Sequence, residues 1–459
     1  MGEVAVSVFD RKRLPVSTFK LDVERMRQGW YSDKYFLNIV GLLTALAEDG
    51  YPVEWSSPTS IGATKGLGAN EIGNIEVEMQ IFHRRKPYAV VVGVDKALAI
   101  LRECTGYYDK NGCFVNTFDK LEVEAVHDGE MVPYDGDPSN VVPVMRIRGR
   151  YRDFALLETP IVGVLTRGSR VATNVYETLK AANGKTVLFF PARFDAHEVQ
   201  AADGYAYSIA VQLFNHKYAK DAGISVSTDE QGSWWGGLGG GTIAHAAIAS
   251  FLGDTAAAMM AFARTRPVDI PRVALVDFHN DCVSDTLQVM RAMFMEFKRC
   301  VDEGNYEEAE KFRLYGVRPD TSGSLRDKSV EPLGDPELDL GVVPRLIFNM
   351  RNAMDNAWKD WDLPPEWEER AKEWCRQVKI VASGGFTPER IKKFEQLGVP
   401  VDIYAVGSWL FNNSKDDGTN TDFTADVVRV RVNGEWIEMA KAGRRPGSNP
   451  ALERVRPDY

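Results

Sequence analysis

In the first third of the chain, apolar positions recur at helical spacing in some stretches and alternate in others. Residues 32–48 (SDKYFLNIVGLLTALAE) carry an apolar stripe behind Ser32-Asp33, a favourable N-cap, and so predict a helix. Residues 74–82 and 88–94 read as strands and 96–103 as a helix. Gly129, Pro133, Gly136, Pro138 and Pro143 then cluster with acidic neighbours in 127–145, which is loop composition and marks a domain boundary.

From about residue 155 the pattern changes to short apolar runs at 186–190, 273–276, 379–382 and 402–406, separated by helical stretches at 284–303, 305–314 and 388–397. Buried strands alternating with helices indicate a parallel sheet, open or closed into a barrel. An alanine-rich stretch, 246–263, predicts a buried helix, with Asp254 and the preceding His245 too polar for a membrane span. Residues 423–441 read as two strands around Asn433-Gly434, a hairpin signal.

Composition narrows the functional classes. Lys and Arg number 55 against 65 Asp and Glu, a net charge of −10, without the basic face of a duplex nucleic-acid binder. Five cysteines without a CxxC pair predict no disulfide framework or zinc knuckle and fit a reducing cytoplasm. The charged Asp10-Arg11-Lys12 behind a short apolar start does not read as a signal peptide.

Four segments carry chemistry. Gly239-Gly240-Gly241-Thr242-Ile243-Ala244-His245 places an imidazole after a flexible glycine turn at a helix start, where a phosphate is accommodated and His serves as nucleophile or base. Residues 273–281 (VALVDFHND) form a strand opening into Asp277, His279 and Asp281. Arg318, Asp320, Ser322 and Gly323 combine a cation for diphosphate with a carboxylate for ribose hydroxyls or magnesium. Ser383-Gly384-Gly385 and Gly407-Ser408 are strand ends of the kind that cradle one phosphate in a barrel.

Other features have blander readings. His83, His127 and His216 are surface or packing residues, whereas His197 lies just past Arg193, and His279 is equally a polar lining residue or a site residue. Asn183-Gly184-Lys185-Thr186 imitates the end of a phosphate-binding P-loop, but a strand follows where a helix is required, so it reads as a turn. Trp234-Trp235 reads as packing, a lid or an interface anchor, and the acidic stretch 302–310 as a solvated helix face.

The order of these segments resembles the nicotinate phosphoribosyltransferase family and its nicotinamide-using relatives, from about Ser32 to about Ser414. The matching pieces are Ser32-Asp33-Lys34-Tyr35, Phe190-Pro191-Ala192-Arg193, Gly241 to His245, Val276 to Asp281, Arg318 to Gly323, Ser383 to Gly385 and Val406 to Ser408. The fold implied is an irregular TIM-like α/β barrel over 151–410. A second α/β domain is built from residues 1–150, with the tail 411–459 packing on it.

The activity implied is transfer of phosphoribosyl from phosphoribosyl pyrophosphate to nicotinate, with ATP and Mg2+, in a cytoplasmic homodimer that shares its active sites. By the same resemblance, ATP phosphorylates His245, and Asp277 stabilises its ring. Arg193 meets the pyridine carboxylate, Phe190 and the neighbouring subunit's equivalent of Tyr35 sandwich the ring, and Asp33 lies beside them. Thr242, Arg318, Asp320, Ser383, Gly384, Gly385, Gly407 and Ser408 hold the phosphoribosyl group.

This chain departs from the family pattern at the Asp277–Asp281 segment, one residue longer, and at Thr321, inserted before Ser322-Gly323. Ser227-Thr228-Asp229 stands where nicotinate enzymes carry Ser-Asn, and nicotinamide-using relatives have an aspartate that accepts from the amide. Asp229 therefore keeps nicotinamide open as substrate. Quinolinate, a non-catalytic homologue that binds NAD precursors, and an unrelated phosphate-binding barrel are the other readings.

Overall fold

A computed structural model describes residues 6–456. The chain forms two compact units. One contains residues 6–174, Tyr205–Leu213 and 412–456, and the other Val175–Gly204 and Phe214–Phe411. The chain leaves the first unit inside the helix Glu158–Ala181. The 127–145 segment, whose composition marks a boundary, lies within the first unit, where Met131–Pro133 pairs antiparallel with Tyr88–Val90.

The first unit is an antiparallel sheet backed by helices. Its strands run in the order Glu435–Glu438, Phe423–Val432, Glu76–His83, Met145–Arg150, Glu122–Ala125, Glu453–Arg454. Alternation decides the faces: Val77, Met79, Ile81, Val123 and Ile147 join Leu98, Leu101 and their helix, Val94–Cys104, in one core. On the other face, Glu78 is buried and accepts from Arg148 Nε at 2.6 Å and Arg429 Nη1 at 2.7 Å, so its charge is paired. The hairpin predicted at Asn433-Gly434 is present, both residues having positive φ (51° and 87°). Through it the C-terminal strands join the N-terminal sheet. The helix predicted at 32–48 spans Lys34–Asp49, and neither Ser32 nor Asp33 caps it with a side chain; Ser32 Oγ bonds Leu156 O instead.

The second unit is the barrel. Five parallel strands pair in the order Thr186–Phe189, Ile403–Val406, Lys379–Ala382, Leu314–Arg318, Arg272–Leu275. Single parallel bridges from Phe189 to Val226 and from Val226 to Gly239 extend the other edge. The first strand thus pairs with the last and the staves follow chain order, as in a barrel; among the described residues no pairing closes the seam between Gly239 and Arg272–Leu275. Val273, Val381 and Ala405 pack with Leu188, Phe190 and Ile403 to fill the interior. Outside, the helix Cys282–Asp302 buries Phe294 against Trp361, Trp367 and Trp374.

Two further expectations are corrected. The alanine-rich stretch is not one helix: it breaks into His245–Ser250 and Thr255–Thr265. Leu252 and Gly253 adopt positive φ (57° and 91°), and the Asp254 side chain caps the second helix by accepting from Ala257 N at 2.8 Å. The helix expected over 305–314 stops at Glu310, and a strand begins at Leu314. No described helix is long and apolar enough to cross a membrane, and all five cysteines are free.

Candidate active site

Every barrel strand delivers a chemical group from its C-terminal end. Arg272–Leu275 leads to Asp277, Leu314–Arg318 ends in Arg318 and continues to Asp320, and Lys379–Ala382 is followed by Ser383. Ile403–Val406 leads to Gly407, and Thr186–Phe189 to Phe190 and Arg193. Parallel strands in register bring these ends to one mouth.

At that mouth His245 Nε2 stands 2.9 and 3.0 Å from the two carboxylate oxygens of Asp277. The imidazole is half exposed, while the Asp277 side chain is only 11% exposed. Burial pushes the Asp277 carboxyl up from its ordinary value, and its bond to His245 opposes the shift. His245, Asp277 and Asp320 each offer an atom within 4.8 Å of the others. Asp320 Oδ1 accepts from Ser383 Oγ at 2.7 Å, and Arg318 Nη1 lies 3.4 Å from that hydroxyl and 3.9 Å from Asp320 Oδ2. Residues from four loops thus gather in one polar cluster, made of two bonded sets, His245–Asp277 and Asp320–Ser383–Arg318. Burial, and the charge of Arg193 nearby, pull the Arg318 guanidinium below its usual range, so its positive charge is held in a partly dry setting.

Gly407 has a steric role, because a Cβ there would stand 2.8 Å from the Phe194 ring. The Phe194 ring also lies under Arg193, 5.5 Å from its guanidinium. Arg193 is exposed, Phe190 is half-buried, and Ser408 is exposed at the start of a short 3-10 helix. Gly384 and Gly385 adopt φ +99° and +66°, a left-handed turn. Thr242 is half-buried, three residues before His245. Tyr35 and Asp33 belong to the first unit, where both are exposed and the Tyr35 hydroxyl donates to Asp33 at 3.3 Å.

The glycine-rich loop is packed at Gly232 and Gly239, whereas Gly240 and Gly241, in the turn before His245, are exposed with room for a side chain, in keeping with the turn read from composition. A Cβ at Gly232 would stand 2.0 Å from Gly237 O, and one at Gly239 2.6 Å from the Thr228 backbone. Trp235 is buried with its indole N–H on Gln231 O at 2.8 Å, which settles that tryptophan as packing. Asp229 Oδ1 accepts from Gly239 N at 2.9 Å, so this carboxylate holds the loop that leads to His245.

His83 is buried on Val132 O, and burial pulls it down to about 4. His127 contacts Glu453, and His197 is exposed beside Glu198. Asn183 and Gly184 form the left-handed turn before Thr186–Phe189, as read from sequence. The sequence names His279 but neither its partner Asp285 nor Arg390. His279 Nδ1 lies 3.0 Å from Asp285, a second imidazole–carboxylate pair, and Arg390 bonds three backbone carbonyls around Gly384. Neither contact leaves a local signal, since both depend on tertiary placement.

Residues 63–169, within the first unit, match the quinolinate phosphoribosyl transferase N-terminal domain. No curated protein matches the chain by sequence. The nicotinate-nucleotide pyrophosphorylase of Pyrococcus furiosus is similar in structure, with TM-score 0.59 and 22% identity, covering 96% of this chain and 86% of that one. Human nicotinic acid phosphoribosyltransferase has TM-score 0.52 and 16% identity, covering 87% of this chain and 74% of its own. At these identities the likeness is one of fold. The chain shares the fold of these enzymes, and the resemblance read from the ordered motifs is borne out at that level.

Proposed function

We propose that the protein transfers the phosphoribosyl group of phosphoribosyl pyrophosphate to nicotinate, releasing pyrophosphate and giving nicotinate mononucleotide in NAD salvage. The observation that carries this reading is the polar cluster of His245, Asp277, Asp320, Ser383 and Arg318 at the barrel mouth. Pyrophosphate leaves C1 of the ribose with its bonding electrons, and the pyridine nitrogen supplies the pair for the new bond. Little proton transfer is required, so the residues act by positioning and by meeting charge. Arg318 faces the diphosphate, the Gly384-Gly385 turn and Gly407 receive the 5-phosphate, Asp320 takes ribose hydroxyls, and Arg193 meets the pyridine carboxylate.

His245 suits phosphoryl transfer from ATP. Its Nε2 is engaged by Asp277, so the Nε2–H tautomer leaves the Nδ1 lone pair to attack the γ-phosphorus as ADP departs. Asp277 balances the charge that develops on the ring. Asp277 and Asp320 are oxygen donors close enough to hold Mg2+, which would neutralise polyphosphate charge when bound. A homodimer in the cytoplasm, with Tyr35 of each subunit completing its neighbour's pyridine site, is part of the same proposal.

Quinolinate is the second reading, favoured by the description of the domain matched at 63–169. A product assay with phosphoribosyl pyrophosphate, Mg2+ and ATP, offering nicotinate, nicotinamide and quinolinate in parallel, decides between them. Mononucleotide from nicotinate with stoichiometric ADP supports the proposal. Product from quinolinate with carbon dioxide, or from nicotinamide, replaces the substrate. No product from any of the three returns the fold to the non-catalytic reading.

A further inference from the structure

Arg390 occupies the first turn of the helix Pro388–Gln396, whose N-cap Thr387 accepts from Arg390 N at 3.3 Å. A cation in that position opposes the helix dipole, so its placement calls for a compensating role. Its guanidinium donates through Nη1 to Gly384 O at 2.6 Å and Gly385 O at 3.3 Å, and through Nη2 to Val342 O at 2.6 Å. The Phe386 ring lies under it, 4.6 Å away.

These bonds fix the direction of the turn. In a planar trans peptide the N–H points opposite to the C=O. With the Gly384 and Gly385 carbonyls drawn to Arg390, the N–H groups of Gly385 and Phe386 face the other way. Successive N–H groups in a left-handed turn form an anion-binding concavity. On the same turn Ser383 N donates to Pro319 O at 3.2 Å, and Ser383 Oγ reaches Asp320. Gly341 N donates to Leu325 O at 2.8 Å, which ties the Val342 loop to the loop that follows Asp320. One side chain thereby fastens the Gly384-Gly385 turn to the Val342 loop, which is itself tied to the loop that follows Asp320.

We propose that Arg390 is a positioning residue that aims the Gly384-Gly385 turn amides at the phosphate of the phosphoribosyl donor without touching it. The proposal rests on the function proposed above. The test uses the full chain with Arg390→Met, which keeps the stem over Phe386, and Arg390→Lys, which keeps the charge and at most one of the bonds.

Two measurements are made. Hydrogen exchange of the Ser383 amide, which is bonded to Pro319 O across this turn, should accelerate about tenfold or more without ligand in Arg390→Met, with less change in Arg390→Lys. In steady state, KM for phosphoribosyl pyrophosphate should rise about tenfold or more while kcat and the nicotinate KM stay within about threefold. Unchanged exchange overturns the clamp. So does a rise of both KM values together with a lowered melting temperature, the mark of a structural role alone. If the wild type does not use phosphoribosyl pyrophosphate, the functional proposal falls, and exchange alone decides whether Arg390 holds the turn.

Discussion

The His245–Asp277 pair makes the sharpest demand on the proposed chemistry. Asp277→Asn keeps size and shape but replaces a carboxylate that meets Nε2 with both oxygens, at 2.9 and 3.0 Å. A hydrogen bond to a charged group is worth about 1.5–3 kcal/mol, which corresponds to a loss of roughly tenfold to 150-fold in rate. The amide adds a second defect. If its NH2 faces Nε2, the ring adopts the Nδ1–H tautomer and the attacking lone pair is lost. Stability should not suffer, because burial already disfavours the Asp277 charge.

The assay is rapid quench with γ-labelled ATP, scored as acid-labile, base-stable phosphate on the protein, beside a melting curve. Wild type should give one phosphate per chain, His245→Ala none, and Asp277→Asn a burst slowed by the factor above with an unaltered melting temperature. Asp285→Asn is the matched control, since it removes the same kind of partner from His279. It should leave the burst intact. A full-rate burst in Asp277→Asn, or loss of the burst in Asp285→Asn alone, would refute the assignment of the acceptor imidazole.

Three further outcomes are expected. Arg193→Ala should raise the nicotinate KM far more than that for phosphoribosyl pyrophosphate in initial-rate kinetics, by about 1.5–3 kcal/mol of lost charge-assisted bonding; equal losses would remove its role. Glu158 is pushed up to about 7 by burial and then by Asp426 and Asp33. From an ordinary value of 4.5, its contribution is fully present below that pH and is lost as pH rises through about 7. Glu158→Gln should therefore melt with wild type near pH ~4 and be roughly 1–3 kcal/mol more stable at pH ~8, while a gap that does not grow with pH would contradict the shift. Gly232→Ala, whose Cβ would fall 2.0 Å from Gly237 O, should cost at least ~2 kcal/mol and open 232–241 to limited proteolysis; an unchanged digest would mean the loop is not packed as described.

What the sequence makes legible here follows from burial. Strands covered on both faces are continuous apolar runs, and 186–190, 273–276, 379–382 and 402–406 were readable for that reason. Leu314–Arg318 was not. Its Tyr315 is exposed, and its Gly316 is required because a Cβ would meet Lys379 O at 2.9 Å, so the apolar run is broken where the strand is most tightly paired. The helix break at Leu252-Gly253 was likewise hidden by alanines on either side. The strand-end residues that meet at the mouth were legible by type and order. Their partners were not, because Asp285 and Arg390 act across turns whose geometry no spacing rule encodes.

Arg390 shows which illegible residues are worth seeking. A local rule places acidic side chains, not cations, in the first turn of a helix. The helix Pro388–Gln396 breaks that rule at one position and satisfies the broken position with three carbonyls, two of them on the turn at the barrel mouth. His245 is the opposite case, a residue whose type announces chemistry but whose tautomer is set by Asp277, 32 positions away. In both, the proposed chemistry lies in the pairing: a cation against the dipole can act as a clamp, and a helix-start imidazole as a nucleophile, only once the fold closes the distance between them and their partners.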